Sequence, residues 1–314
     1  MKNTTFTITL AALLLASSAW AQREETFHRT VEVGVGAALS IENVAGDIQV
    51  EGGTGASIVI DAVKSLDDER DAEMLKSVEI EVSQLGNRVR VSTEYGRGGG
   101  RHRGHGGDDV SVSFRVKVPK ATEVEIHTVS GDVVLTGVDG AASAQSVNGD
   151  VRVTDVSELV HAKTVSGNVE VSRARSGRRA EIESVSGEVL VQTIDAAELT
   201  VSSVSGDVRL QGASSLRASL ESVSGDLEYT GSIAASGRYE FQTHSGDVTL
   251  TLGDDVGFEL EASTFSGEVD SQFPLETTRS KEKPKGRRLS AVVGDGSAFI
   301  EASTFSGDIQ LLRR

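Results

Sequence analysis

Nine acidic or amide side chains recur along the chain, each directly after a glycine. They are Asp132, Asp150, Asn168, Glu188, Asp207, Asp226, Asp247, Glu268 and Asp308. Carboxylate oxygens are the ligands that Ca²⁺ prefers, so a stacked row of them could form weak cation sites. The candidates for such a metal site are Asp132, Asp150, Asp207, Asp226 and Asp247. Aspartate also caps turns through its side chain, and its repetition beside glycine favours that structural role.

Catalysis requires a unique set of residues in one place, whereas every acid of this row recurs along the chain. The histidines are scattered, at His28, His102, His105, His127, His161 and His244. No GxSxG, HExxH or phosphate-binding loop occurs, and the absence of cysteine excludes disulfides and thiolate metal sites. We therefore predict no catalytic residue, no cofactor-binding residue and no cofactor. The alternative is a carbohydrate-active enzyme of the β-helix type, which would need a charged cleft on one face.

The acids belong to an internal repeat, typified by TVSGDV, that is flanked on both sides by alternating segments. Its glycines are predicted to be structural, because they stand where the backbone bends. They are Gly131, Gly149, Gly167, Gly187, Gly206, Gly225, Gly246, Gly267 and Gly307. Successive glycines are 18, 18, 20, 19, 19, 21, 21 and 40 residues apart, and the doubled last spacing predicts a degenerate coil near 285–293. A further copy, LSIENVAGDIQV, surrounds Gly46.

Strict alternation of apolar and polar residues is typical of β-strands with one buried face. Two short strands and two bends of constant length in each unit favour an all-β fold, a β-solenoid of ~20-residue coils stacked ~4.8 Å apart. Around Gly206, we place Val204 and Gly206 inward and Ser205 and Asp207 outward, with a bend after Ser203.

Two further columns of residues follow from this stacking. A hydroxyl column is expected to bond neighbouring backbone at the corner, and it comprises Thr128, Ser146, Thr164, Ser184, Ser203, Ser222, Thr243, Thr264 and Thr304. A column of small polar residues beside the glycines is expected to leave a flat strip without large exposed apolar patches. Its members are Ser130, Asn148, Ser166, Ser186, Ser205, Ser224, Ser245, Ser266 and Ser306.

The chain divides into three predicted parts. Residues 1–21 are a signal peptide, because Lys2 precedes an apolar run and Ala-Trp-Ala ends at Ala21. Residues 22–123 form an N-terminal β region with the first repeat copy, one helix and a Gly/Arg/His-rich loop. Residues 124–314 form a solenoid of about ten coils.

Within the N-terminal β region, LDDERDAEMLKS at 66–77 predicts a short helix. The segment 57–63 alternates and is expected to be a strand, and the segments 78–82, 88–91 and 110–118 are expected to be antiparallel strands. Together they are expected to cover the N-terminal edge of the solenoid. The loop GRGGGRHRGHGG at 96–107 is interpreted as a hairpin loop, the alternatives being a weak metal site or an anion-binding finger.

The basic run RSKEKPKGRR, about residues 279–288, is interpreted as a solvated loop. Contact with an anionic lipid headgroup or polysaccharide is the alternative. The net charge of −16 argues against a general nucleic-acid partner. No later stretch is long and apolar enough to span a membrane, so the mature chain is expected in the periplasm or outside the cell.

The TVSGDV units, the signal segment, the N-terminal interruption and the closing GDGSAFIEASTFSGDIQL resemble a bacterial family labelled "putative adhesin" and numbered 4097 among the domains of unknown function. The resemblance covers roughly residues 40 to 314. It implies a β-solenoid-like fold and an envelope location, and it supplies no catalytic residues.

Together these features predict an exported, non-enzymatic β-repeat protein that acts as a scaffold or an adhesin-like binding surface in the bacterial envelope. Many weak equivalent contacts can sum along a repetitive surface, whereas an active site cannot be spread over nine coils. The partner is expected to be an envelope polymer or protein, and the sequence leaves its identity and the oligomeric state open.

Overall fold

The computed structural model describes residues 24–66, 74–95, 110–253, 257–274, 276–282 and 287–314. These residues form twenty-four β-strands and one 3₁₀ helix. The predicted signal peptide, the loop at 96–107 and residues 283–286 of the basic run lie outside the described residues. Among the helices of the described ranges, none has the length and hydropathy to cross a membrane.

The strands are numbered in chain order. The first twelve are β1 (Glu24–Glu32), β2 (Ala38–Ala45), β3 (Ile48–Gly53), β4 (Ser57–Leu66), β5 (Val78–Leu85), β6 (Arg88–Tyr95), β7 (Val110–Pro119), β8 (Glu123–Ser130), β9 (Val133–Thr136), β10 (Ala141–Asn148), β11 (Val151–Val156) and β12 (Glu158–Ser166). The other twelve are β13 (Val169–Ser186), β14 (Val189–Ser205), β15 (Val208–Ser224), β16 (Leu227–Gly231), β17 (Arg238–Ser245), β18 (Val248–Leu252), β19 (Phe258–Ser266), β20 (Val269–Ser271), β21 (Glu276–Glu282), β22 (Arg287–Val293), β23 (Ala298–Ser306) and β24 (Ile309–Arg313).

Ten coils bend at a glycine that most copies flank with Ser and an acid, and we call this segment the glycine corner. In the coil of β6 and β7 the connecting residues lie outside the described ranges. Strands before the glycine corner stack in parallel as a first sheet, and strands after it stack in parallel as a second sheet. In the first sheet β8 pairs with β10, and in the second β9 pairs with β11. In the described part of the chain eleven coils stack in this way. The predicted solenoid-like, all-β fold is therefore confirmed.

Each coil also has a second corner, which leads from the second sheet into the first sheet of the next coil. The long strands β13, β14 and β15 run through this corner, so each contributes to both sheets. Their pairing stays in register from one coil to the next, apart from a shift between Ser176 and Arg179. Constant register requires constant coil length, which the 18 to 21-residue spacing of the repeats provides.

The core lies between the two sheets and follows the alternation of the strands. In a central coil Leu199, Val201, Val208 and Leu210 are fully buried. Such layers are thin, because each holds only the inward side chains of two short strands, so branched aliphatic residues fill them. Near the C-terminal end the layers contain rings instead, and Tyr229 contacts Phe241 edge-on with a centroid distance of 5.3 Å.

At the N-terminal end the order of coils differs from the order of the sequence. The outermost coil is β6 and β7, and the first repeat copy, β2 and β3, lies between it and β8 and β9. Strands β4 and β5 pair antiparallel with β7 and β6, and β1 adds to β4. The predicted antiparallel pairing of these strands is confirmed, and β6 and β7 in addition pair in parallel with the first copy.

The C-terminal end is permuted in the same manner. The final repeat copy, β23 and β24, lies between β17–β18 and β19–β20. The predicted degenerate coil at 285–293 was wrong, because β22 pairs antiparallel with β19 and forms a hairpin with β21. The doubled glycine spacing comes from this hairpin, so residues 124–314 hold nine stacked coils instead of ten.

The predicted helix at 66–77 was not confirmed as such. Leu66 ends strand β4, residues 67–73 lie outside the described residues, and Met74–Ser77 form one 3₁₀ turn. The basic run also differs from the predicted loop, since residues 279–282 belong to β21 and Arg287 and Arg288 begin β22.

Candidate binding groove at the glycine corner

The nine repeat glycines and Gly46 stack in one column along the solenoid. A Cβ added at Gly206 would lie 2.1 Å from the carbonyl oxygen of Gly187, and one at Gly187 would lie 2.0 Å from that of Gly167. No side chain tolerates such a distance to backbone of the neighbouring coil. The column order, read from these contacts, runs Gly46, Gly131, Gly149, Gly167, Gly187, Gly206, Gly225, Gly246, Gly307 and Gly267.

Stacking, more than the local conformation, explains this requirement for glycine. Gly206 has a positive φ of 155°, a region that other residues rarely adopt. The φ of Gly225 lies outside the region between +20° and +160°, yet its Cβ would lie 2.1 Å from the carbonyl oxygen of Gly206. The requirement for glycine at these positions thus has a specific cause beyond the bend of the backbone, which is the close approach of backbone from the neighbouring coil.

The hydroxyl column lies buried beneath the glycine corner. Thr164 Oγ1 donates to the carbonyl of Gly149 at 2.8 Å, and Ser184 Oγ donates to that of Gly167 at 2.9 Å. The same bond recurs for Ser146, Ser203, Ser222, Thr243, Thr264 and Thr304. The predicted bonding of this column to neighbouring backbone is confirmed for these residues. Each hydroxyl proton is thereby engaged within the protein.

Thr128 is the exception within the column. Its Oγ1 is buried and has no hydrogen-bond partner among the described residues. The carbonyl that its position would reach, that of Gly46, accepts instead from Asn43 Nδ2 at 3.0 Å. The first copy carries Asn43 where the others carry Ser or Thr, and its amide also bonds Val112 of the outermost coil at 2.9 Å.

The acidic column caps backbone from one coil to the next. The Asp132 carboxylate accepts from the N–H of Asp150 at 2.9 Å, and the Asp226 carboxylate accepts from the N–H of Asp247 at 2.8 Å. The side chains of Asp47, Asp150, Asn168, Asp207, Asp247 and Asp308 do the same. This geometry is the turn-capping role weighed above, carried out across coils.

Two arginines of the second sheet offset part of the column's negative charge. Arg152 contacts Asp150 at 2.8 Å, and Arg209 contacts Asp207 at 2.8 Å and Glu188. The hydrogen bond that Arg209 donates to Glu188 raises the pKa of Arg209 further, so the guanidinium stays charged. Among the described residues, no group of three or more His, Asp or Glu converges in a way that could hold a metal ion.

The face assigned to the apolar residue of each glycine corner was wrong. Val204 is exposed by 46%, while Ser203 before it is buried. The same exposure recurs in every repeat copy, through Val44, Val129, Val147, Val165, Val185, Val204, Val223, His244, Phe305 and Phe265. We call this column the apolar ladder. The expected flat polar strip is therefore flanked by a continuous apolar stripe.

Aromatic rings form the C-terminal end of the apolar ladder. Phe265 and Phe305 are stacked with a centroid distance of 4.7 Å and an interplanar angle of 5°. His244 stacks on the other face of Phe305 at 4.9 Å and 10°. The rings follow the coil spacing, so they turn their edges and not their faces to solvent.

A shallow groove runs beside the apolar ladder. Its C-terminal part has a volume of about 610 Å³ and is bounded by Val185, Val204, Val223, His244 and Phe305 on the ladder side. A second part of about 420 Å³ continues toward Val129. The buried hydroxyl column forms the floor. The opposite bank is polar and comprises Glu42, His127, Gln145, Lys163, Glu183, Ser202, Glu221, Gln242 and Ser303.

In the polar bank, Lys163 forms ion pairs with two glutamates of the neighbouring coil. Lys163 contacts Glu181 at 2.9 Å and Glu183 at 3.1 Å. Burial lowers the pKa of Lys163, but the hydrogen bonds with the two glutamates outweigh it, so the pKa is raised. The bond from Lys163 in turn lowers the pKa of Glu181. Lys163 is thereby occupied by neighbouring acids, which leaves the groove without a free ammonium group at this point.

A second concavity of about 690 Å³ lies at the second corner. Its lining is strongly charged and contains one close ion pair. Arg173 forms a bidentate pair with Asp155, at 2.5 and 2.9 Å, and Asp139 accepts from Ser157 at 2.8 Å. This concavity lacks the column of exposed apolar side chains that borders the groove at the glycine corner.

A simple signal in the sequence identifies the apolar ladder. Counting alternate residues from Leu199 places Val201 and Ser203 inward and Val204 outward, and the structure follows this count. The phase changes only at Ser205 to Asp207, within the glycine corner itself. We predicted the bend two residues too early, because valine is more often buried than serine.

These features define a parallel β-solenoid whose repeated corner carries a linear groove. The chain matches the Toastrack DUF4097 family over residues 108–183 and 174–312, which together exceed half of its length. The protein therefore belongs to the Toastrack DUF4097 family, as its TVSGDV repeats indicated.

Several solved bacterial structures are similar to this chain at low identity. One is a "putative lipid binding protein" from Parabacteroides distasonis, at 14% identity over 93% of this chain and 98% of that chain, with a TM-score of 0.42. Another is a "putative adhesin" from the same organism, at 12% identity over 92% and 97%, with a TM-score of 0.40. A "putative cell adhesion protein" from Clostridium sporogenes has 11% identity over 93% and 100%, with a TM-score of 0.22. No curated protein is similar enough to the chain to count as a match.

Proposed function

We propose that this protein is an exported, non-enzymatic binding protein of the bacterial envelope and that the groove beside the apolar ladder holds an elongated partner. The observation that supports this proposal most directly is the apolar ladder itself. Its ten side chains are exposed at equivalent positions, although burying them would be favourable. Contiguous exposed apolar surface on a soluble fold marks an interaction site.

The shape of the groove supports an elongated partner. Nine intervals of ~4.8 Å make the apolar ladder about 43 Å long, while it is a single side chain wide. Each coil presents the same contacts at the same spacing, so a linear partner gains from many weak contacts at once. A compact ligand would instead need a deep pocket that buries most of its surface.

Three features support a non-enzymatic role. The carboxylates of the glycine corner are engaged in caps between coils, and the hydroxyls of the groove floor donate to backbone. Among the described residues, no group of three or more His, Asp or Glu could hold a metal ion for catalysis.

Export is part of the same proposal. The segment at 1–21 has the charged start, apolar run and Ala-Trp-Ala ending of a signal peptide. The mature protein is expected to begin at Gln22 and to be recovered from the periplasm or the medium. Peptide mapping of the protein from each fraction measures this, and recovery of the full-length chain with Met1 from the cytoplasm would contradict it.

The binding role is tested with purified protein as bait for envelope extracts, with and without calcium. Replacing Val185, Val204 and Val223 by serine removes the centre of the apolar ladder without touching the core. We expect the bound material to fall at least about tenfold, because three exposed apolar contacts are lost together.

The matched control is Leu216→Ser, which removes an exposed apolar side chain from the second corner, where Leu216 is exposed by 57%. It should leave capture unchanged. Equal capture by the triple variant and the unmodified protein would contradict the groove as the binding surface. Cleavage of a polysaccharide that one point mutation in one coil abolishes would instead establish the enzyme alternative.

A further inference from the structure

The two banks of the groove differ in chemistry, and this difference restricts the partner. One bank is the apolar ladder, with valine methyl groups and the edges of Phe305 and Phe265. The other bank presents carboxylate, amide and hydroxyl groups at the coil spacing, through Glu183, Ser202, Glu221, Gln242 and Ser303. We propose that the groove binds a linear, uncharged polysaccharide that lies along the solenoid axis, an inference that rests on the proposed binding function.

A sugar chain matches both banks because each ring is itself two-sided. Its C–H groups suit an apolar surface, and its hydroxyl groups suit the carboxylates and amides that accept or donate hydrogen bonds. The polar bank is able to serve them, since no hydrogen bond engages the Gln242 side chain, and Glu221 contacts only the Ser219 hydroxyl, at 3.1 Å, within the described residues. The floor of the groove contributes its shape and not hydrogen-bond donors, because its hydroxyl protons are already donated to glycine carbonyls.

Electrostatics argue against an anionic polymer. The polar bank contains Glu42, Glu183 and Glu221, while its one lysine, Lys163, is paired with Glu181 and Glu183. In each copy the residue of the acidic column follows that of the apolar ladder by three positions, which adds negative charge near the groove. A neutral chain avoids this repulsion.

The size and direction of the groove argue against two kinds of partner, a folded protein and an extended peptide. A surface about 43 Å long and about 10 Å wide provides about 430 Å², whereas a stable protein interface needs about 800 Å² from each partner. An extended peptide lying along the solenoid axis would run across the strands, so it could not add to a sheet edge by backbone hydrogen bonds. A lone acyl chain would leave the carboxylates and amides of the polar bank facing hydrocarbon, which is unfavourable.

The test measures retardation of the purified mature chain in gels that contain one soluble polymer each. Dextran, mixed-linkage β-glucan and galactomannan are the neutral probes, alginate is the anionic probe, and vesicles of phosphatidylcholine and phosphatidylglycerol are assayed by co-flotation. We expect retardation by at least one neutral polymer and neither alginate retardation nor flotation.

Variants locate the contact. The double variant Glu221→Ala and Gln242→Ala removes hydrogen-bonding groups from the polar bank and should weaken the dissociation constant for the retained polymer at least about tenfold. Glu221→Gln keeps a hydrogen-bonding group and should weaken it less. The triple serine variant of the apolar ladder should also weaken binding, whereas Leu216→Ser should not. Circular dichroism melts of all variants show whether each one is folded.

The outcomes separate this inference from the proposed function. If the triple serine variant loses capture from envelope extracts but no neutral polymer retards the protein, the binding function stands and the polysaccharide is wrong. Retardation by alginate alone, or flotation with vesicles alone, also overturns the polysaccharide. Retardation that survives every groove variant places the polymer elsewhere and overturns the site.

Discussion

Both corners of each coil reverse the direction of the chain, but they differ in the residues that they tolerate. The glycine corner holds glycine in ten stacked coils, because the neighbouring coil approaches to 2.0–2.4 Å from any added Cβ. At the second corner most of the constraint is a positive φ, and five consecutive coils place Gly137, Asp155, Arg173, Thr193 and Gly212 there. Close approach of backbone also occurs at this corner toward the N-terminal end of the described coils, at Gly52 and Gly140. Space around Gly212 is ordinary, with the nearest atom, Thr193 Oγ1, 3.5 Å from an added Cβ.

The difference shows that two kinds of constraint act on a solenoid corner. A conformational constraint is local and costs about 1–2 kcal/mol per residue, which a side-chain contact can offset. The bidentate Asp155–Arg173 pair accompanies two such residues. A stacking constraint comes from backbone of the adjacent coil, which cannot move without disturbing the whole column.

The largest effect is therefore expected at the glycine corner. Gly206→Val should lower the free energy of unfolding by about 3 kcal/mol or more, because the added atoms overlap the carbonyl of Gly187. Gly212→Ala, at the second corner, should cost only about 1 kcal/mol. Urea midpoints of the purified variants measure both.

Asp207→Ala is the control within the same corner. It removes the bond from the N–H of Asp226, at 3.0 Å, and the ion pair with Arg209, so it should cost about 1 kcal/mol. A midpoint for Gly206→Val equal to or above that of Asp207→Ala would refute the stacking explanation.

An exchange at the second corner should change stability in both directions. Thr193 is β-branched and has a φ of 60°, a strained combination, so Thr193→Gly should stabilise the protein by about 1 kcal/mol. Gly212→Thr, at the equivalent position of the next coil, should destabilise it by about 1–2 kcal/mol. Thermal melts decide the signs, and a loss of stability in Thr193→Gly would show that the threonine makes a compensating contact.

A smaller contrast lies in the hydroxyl column. Thr164→Val keeps the shape of the side chain but removes the 2.8 Å bond to Gly149, which should cost about 1 kcal/mol. Thr128→Val removes a buried hydroxyl without a partner in the described structure and should be neutral or slightly stabilising. Equal losses in urea unfolding would mean that Thr128 is hydrogen-bonded after all.

The smallest expected effect is the pH dependence of the Lys163 cluster. The pKa of Glu181 is lowered by its hydrogen bond with Lys163, so the folded state favours the ionised carboxylate. Glu181 thus contributes stability above its unfolded pKa of about 4.3, and this contribution is lost as the pH falls through the lower folded value. Because water screens the pair, Glu181→Gln should cost less than about 1 kcal/mol at pH 7. Unfolding at pH 7 and pH 3 should show the difference between variant and parent shrinking at pH 3, and a constant difference would contradict the pairing.

The sequence alone determined the repeat, its two strands and the need for glycine at its corner. Period-two alternation reports which side chains share a face, and constant spacing reports that coils stack in register. The hydroxyl and acidic columns could also be predicted, because capping chemistry is local to a turn. The exposed valines were predictable in principle, since uninterrupted alternation from Leu199 already places Val204 outward.

Only the tertiary structure decided the order of the end coils and the existence of a groove. Repeats at Gly267 and Gly307 both contain EASTFSG, so either could stack on the coil of Gly246, and local pattern does not distinguish them. The structure places Gly307 there because the β21–β22 hairpin covers β19 as the outer strand. The groove likewise needs side chains that are about 20 residues apart in sequence to lie side by side. That proximity is a property of stacked coils, which no single repeat contains.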